Sequence, residues 1–173
     1  TTIPLSFAQQ RLWFLAQLEP ASTAYLMPTA RRLLGTLDVA ALENSLQTLI
    51  AHHEGLRTTF QMHADQPVQV IHPSSAQLLP VTDLRALAPP AQTFALETLR
   101  RQEARYPCDL ARGPLLRVQL LRLGAQEHIL LITMHHIISD GWSNVVFFQE
   151  LNALYTATVT ARPFPLAPLP ERK

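Results

Sequence analysis

Residues 129–143 read Ile129-Leu130-Leu131-Ile132-Thr133-Met134-His135-His136-Ile137-Ile138-Ser139-Asp140-Gly141-Trp142-Ser143. Apolar side chains fall on both alternating faces from Ile129 to Met134, which fits a central strand covered on both sides. The polar run that follows leaves this buried strand and enters a helix expected from about Asp140 to Thr158. Successive strand residues point to opposite faces, so His135 and His136 cannot share one task. One is expected in the core and the other in a cleft. Asp140 and Gly141 fall at the helix start, where free amides favour negative charge. An imidazole beside such amides can move a proton while the amides hold an oxyanion. Two plainer readings stand beside this one: a hydrogen-bonded core histidine and an aspartate that only caps a helix.

Upstream, Leu115–Leu123 and Glu127–Met134 read as two strands joined by Gly124-Ala125-Gln126. Ser6 and Gln9 form a capping box for a first helix, with Ala8, Leu12, Leu15 and Ala16 on one face. Thr29–Leu37 reads as a strand. Asp38 caps a second helix that carries Val39, Leu42, Leu46, Leu49, Ile50 and His53 at helical spacing, with Gly55 placed to stop it. Leu56–Met62 and Val68–His72 are strands around an Asp65-Gln66-Pro67 turn, and Leu79–Thr82 is a short strand. Pro89-Pro90 opens a third helix that runs to about Tyr106. Helices interleaved with strand pairs give an α/β (α+β) two-layer sandwich with a mixed sheet and flanking helices.

The chain has 173 residues, suited to one domain, and 47% of them are hydrophobic, so it has the means for a core. Only 16% are charged, which implies an apolar surface awaiting a neighbour. A net charge of +1 gives no support for a nucleic-acid binder, which shows a clustered basic face. No stretch is long and apolar enough to span a membrane, and no signal peptide opens the chain. The start at Thr1 reads as a piece of a longer, cytoplasmic protein. One cysteine, Cys108, excludes an internal disulfide framework and a cysteine-based zinc site. No bound metal is expected, because adjacent strand histidines diverge and His52-His53 has no matching carboxylate. A serine triad on Ser139 or Ser143 lacks its Gly-x-Ser-x-Gly elbow. Residues 161–173 are proline-rich and read as a connector after a domain at 1–160.

Three segments carry a resemblance. His135-His136-Ile137-Ile138-Ser139-Asp140-Gly141 resembles the HHxxxDG signature of condensation domains from nonribosomal peptide synthetases. Leu5-Ser6-Phe7-Ala8-Gln9-Gln10-Arg11-Leu12-Trp13-Phe14-Leu15 is similar to that family's opening SxAQxRLWFL motif. His52-His53-Glu54-Gly55-Leu56-Arg57-Thr58-Thr59-Phe60 is similar to RHExLRTxF, with His52 in place of the first arginine.

The resemblance implies a chloramphenicol-acetyltransferase-like lobe, the first of two that enclose a tunnel, with the C-terminal lobe as a partner. It implies an acyltransferase reaction: the amine of one carrier-bound aminoacyl group attacks the thioester of another. Both substrates hang on phosphopantetheine arms of donor and acceptor carrier proteins, and no cofactor is bound directly. His136 is then the catalytic histidine, as a general base or as a group that positions the amine. His135, Asp140 and Arg57 support the site, with Asp140 and Arg57 expected to pair within about 4 Å. Gly141, Trp142 and Ser143 line the tunnel, Trp142 being equally readable as core. Arg11 reads as a buried polar anchor and Trp13 as packing. Alone, the piece is expected to be inactive. The alternatives are an epimerisation domain of the same superfamily and a non-catalytic module that docks carrier proteins.

Overall fold

The structure, a computed structural model, describes residues 2–74, 79–163 and Leu166. The elements run β1 (Thr2–Pro4), α1 (Phe7–Leu18), β2 (Leu26–Leu34), α2 (Val39–His52), a 3-10 turn (Glu54–Arg57), β3 (Thr58–His63) and β4 (Gln66–Ile71). They continue with β5 (Val81–Asp83), α3 (Pro89–Ala104), β6 (Leu116–Gly124), β7 (Glu127–His135) and α4 (Gly141–Val159). Among the described residues the strands form two sheets, a four-stranded one in the order β2-β7-β6-β5 and a three-stranded one in the order β1-β4-β3. The larger sheet is mixed: β5 runs parallel to β6 while the other pairs are antiparallel. This is the α/β class expected.

Strand β7 is central, between β2 and β6, and every residue after Glu127 is buried. Its Leu130, Ile132 and Met134 pack with Leu42, Leu46 and Leu49 of α2 and Phe147, Leu151 and Leu154 of α4. Its Ile129 and Leu131 turn the other way, toward Ala95, Leu96 and Leu99 of α3. Helices therefore cover both faces, which is why the strand lacks a polar face. Leu49 and Leu120 are 0% exposed, and full burial of such a side chain stabilises by about 1.5–3 kcal/mol. A third cluster, Leu5, Phe60, Leu110, Leu115 and Ile137, joins the small sheet to the residues that follow β7, and Leu12, Trp13 and Ala16 of α1 pack on it.

Helix α1 starts with the expected capping box: Gln9 N–H donates to Ser6 Oγ at 3.3 Å and Ser6 N–H to Gln9 Oε1 at 2.9 Å. Several boundaries differ from expectation. β2 begins at Leu26 and ends at Leu34, because Gly35 takes φ +102° and turns the chain toward Gln126. α2 ends through His53, and Gly55 lies inside the 3-10 turn. The β3–β4 connection is a tight turn at Ala64 and Asp65, with φ of 47° and 62°, as in two-residue hairpins with both central residues left-handed. Pro67 therefore sits in β4 opposite Met62. That position is a non-hydrogen-bonded pair, so its missing N–H costs β3 nothing. Arg11, expected to be buried, is exposed, and so is Ala8. Most of the proline-rich stretch lies outside the described residues; Leu166 packs against the main core.

Candidate functional site

The sheet delivers His135 and His136 at the exit of its central strand, and the backbone fixes both. His135 N–H donates to Leu115 O at 2.9 Å, and His136 N–H donates to Tyr25 O at 2.8 Å. His135 is 5% exposed, whereas His136 is exposed, so the two rings diverge as expected. The His135 Nδ1 accepts the Ile137 N–H at 3.1 Å, which leaves its ring proton on Nε2. Burial, reinforced by neighbouring His136, pushes the His135 pKa down to about 4, so this ring is neutral near pH 7.

His136 shows the opposite arrangement. Its Nδ1 lies 2.7 Å from Ser139 O. A carbonyl only accepts, so Nδ1 carries the proton and the neutral ring keeps its lone pair on Nε2. A tight turn of the chain on itself thus sets the tautomer: residues 137–139 fold back, with Ile138 N–H on His135 O at 3.1 Å. An exposed imidazole with a free Nε2 can accept a proton from, or hydrogen-bond to, an amine brought to it.

Asp140 is the N-cap of α4, and its Oδ1 accepts from the Ser143 N–H and the Ser143 hydroxyl, both at 2.7 Å. These bonds, the hydroxyl's first, hold its carboxyl below the usual range. The expected Asp140–Arg57 ion pair is not formed. Arg57 instead donates to His72 O and approaches Glu54 at 3.5 Å, and its Nε is buried without a partner among the described residues. The physical reason is local: Asp140 finds two donors one helical turn away, and the Arg57 and His72 backbones are already bonded at 3.0 Å.

Gly141 starts α4 in the open, with nothing within 4 Å of where a Cβ would sit. Trp142 is 74% exposed and so is not core. Trp142 and Ser143 line an open groove of about 450 Å³ together with Ser139, Ile138, Leu56 and Glu54. His136 is not among the residues lining this groove. Two contacts escaped the sequence: His53, expected to have no matching carboxylate, bonds Glu150 of α4 once α2 and α4 dock, and Gln9 reaches Ile137. Both join residues far apart in the chain, so no local pattern could reveal them. Among the described residues no group of three or more His, Cys, Asp or Glu is placed to hold a metal ion, and no helix is long and apolar enough to cross a membrane.

Comparison with known proteins gives the family and the fold. The pattern that defines the Condensation domain family matches residues 1–171. The chain is 49% identical over 168 residues to chondramide synthase cmdD of Chondromyces crocatus, covering 97% of this chain and 4% of that protein. It is 47% identical over 168 residues to malpibaldin synthetase of Mortierella alpina, covering 96% of this chain and 3% of that protein. Among solved structures, the starter condensation domain of rhizomide synthetase RzmA superposes with a TM-score of 0.88 at 29% identity, over 96% of this chain and 40% of that one. The first condensation domain of the calcium-dependent antibiotic synthetase, solved with a substrate analogue, gives 0.85 at 28% over the same shares. The chain therefore spans a small part of its curated relatives and less than half of the solved domains, and with the family pattern running through almost all of its length, it belongs to the condensation-domain family.

Proposed function

We propose that this chain is the N-terminal lobe of a condensation domain in a nonribosomal peptide synthetase, and that the complete domain forms amide bonds between carrier-bound substrates in the cytoplasm. The observation that carries the reading is the placement of His136: exposed at the exit of the central strand, with Nδ1 committed to Ser139 O and Nε2 free. The motif resemblance and the family membership support it. Residues 1–160 form the lobe, and 161–173 lead toward a C-terminal lobe that closes the tunnel.

In this reading the amine nitrogen of the acceptor attacks the donor thioester carbonyl. The new C–N bond forms, the C–S bond breaks, and the donor phosphopantetheine leaves as a thiol. The amine loses one proton, which His136 Nε2 accepts or steers toward the departing sulfur. His135, Asp140 and Arg57 support the loop: His135 by its bond to the Ile137 N–H, Asp140 by starting α4, Arg57 by closing the end of β4. Gly141, Trp142 and Ser143 give the site one wall. The phosphopantetheine arms belong to the donor and acceptor carrier proteins, and the lobe holds no cofactor of its own.

The test is amide formation from two loaded carrier proteins by the complete parent domain. His136→Ala is expected to lower turnover by about 10²–10⁴-fold with the fold intact if the ring acts as a general base. The 173-residue piece alone is expected to give no product, because one wall cannot align two tethered substrates and orientation supplies roughly 7–11 kcal/mol. Turnover by the piece equal to that of the domain refutes the half-site reading. Inversion of an aminoacyl stereocentre without amide formation would favour epimerisation.

A further inference from the structure

Gln9, in the opening motif, has no part in the reading above, yet its side chain is committed at both ends. Its Oε1 accepts the Ser6 N–H and closes the capping box of α1. Its Nε2 faces away from the helix, toward the Ile137 carbonyl and the Gln69 Oε1, each at 3.5 Å. Gln69 in turn donates to Pro4 O at 3.0 Å, which ties this amide to β1 and β4.

Ile137 follows His136. Its side chain is 4% exposed in the cluster on which Leu12, Trp13 and Ala16 of α1 pack. Helix α1 therefore packs its apolar face on the cluster that holds the Ile137 side chain and reaches the Ile137 carbonyl with Gln9. On the other side, the His136 N–H is fixed to Tyr25 O. The peptide planes flanking His136 are anchored by Tyr25 O and by the Ile137 N–H on His135 Nδ1, and Gln9 reaches the next plane, between Ile137 and Ile138, in the turn that brings the Ser139 carbonyl back to His136 Nδ1.

We propose that Gln9 is a positioning residue: by holding the Ile137 carbonyl it sets the direction in which the His136 ring projects. Gln9 touches neither substrate nor the imidazole. A 3.5 Å contact shared between two acceptors is weak. Its consequence is geometric, because an error of about 1 Å at a reacting group can cost roughly 10²-fold in rate. The proposal rests on the functional reading of His136 given above.

The test separates capping from aiming, in the complete parent domain. Gln9→Glu keeps an oxygen for the Ser6 N–H and adds a negative charge to a first turn that has no acidic residue, which favours the helix. It removes the N–H that reaches Ile137. The expected result is a melting temperature unchanged or raised, kcat lowered about 10-fold, and KM for both loaded carriers unchanged. Gln9→Ala loses both bonds and is expected to lower kcat and stability together. Gln69→Met leaves the Ile137 contact in place and is expected to keep wild-type kcat. The proposal is overturned by a Gln9→Glu domain with wild-type kcat, by one that does not fold, or by Gln69→Met losing as much kcat as Gln9→Glu. Amide formation by the wild-type domain and its loss in His136→Ala test the functional reading separately, so the two failures are told apart.

Discussion

Acid should weaken this fold through His135, and the size of the effect follows from its surroundings. The ring is 5% exposed, accepts the Ile137 N–H on Nδ1, and has a pKa pushed from 6.5 to about 4, first by burial and then by His136. The unfolded chain binds a proton near the ordinary value while the folded chain resists it. Stability is therefore intact above about pH 6.5 and falls as pH drops from there toward about 4. Between about pH 7.5 and pH 5 this single group removes about 2 kcal/mol, at roughly 1.4 kcal/mol for each pH step below 6.5. The perturbation is His135→Asn, which keeps an acceptor near the Nδ1 position and cannot titrate. Its starting stability will be lower, so the comparison is between slopes. Urea unfolding of both proteins at the two pH values gives them. Buried His128, also held below its usual pKa by burial and by Arg122, acts in both proteins and cancels. Equal losses in wild type and His135→Asn would refute the reasoning, since the proton would then bind elsewhere.

Further outcomes follow from the same structure. Burial pushes the Cys108 thiol up to about 11, with nearby Asp109 adding to it, so a thiol reagent near pH 8 should label it far more slowly than a free cysteine; labelling at the free-cysteine rate would contradict that environment. Arg57 and Asp140 make no ion pair, so a double-mutant cycle on thermal stability with Arg57→Ala and Asp140→Ala should show coupling below about 0.5 kcal/mol. A coupling of several kcal/mol would restore the pair expected from the motifs.

The parts legible in sequence were those whose signal is local. The two-sided apolar run of β7, the Ser6–Gln9 capping box, the Pro89-Pro90 opening of α3 and the Asp140 cap each follow from neighbours within a few residues. The divergence of His135 and His136 also came from strand geometry alone. β1 was not legible, because three residues have no pattern and are a strand only by pairing with Val68–Val70 of β4. β2 was read three residues late: Pro28 looks like a break, although here it lies within the strand opposite Thr133. The Arg57–Asp140 pair came from resemblance, and the structure shows why resemblance overreached: Ser143, three residues away, meets the carboxylate first. His53–Glu150 spans 97 residues of sequence, so it depends on α2 and α4 docking together.

The outer edge of the larger sheet carries a consequence of its own. Tyr25 pairs with His136, and Gly35 with Gln126, so odd-numbered residues of β2 direct their amides to β7. The even-numbered ones face outward, where no strand pairs with them among the described residues. Pro28 is one of these, and it has no N–H to offer. A stray extended chain approaching this rim meets a gap in its donor row, with the bulky, charged Arg32 farther along. The proline that hides β2 from a reader of the sequence also hides it from other polypeptides, and lowers the tendency of newly made or partly opened chains to stick together by sheet extension.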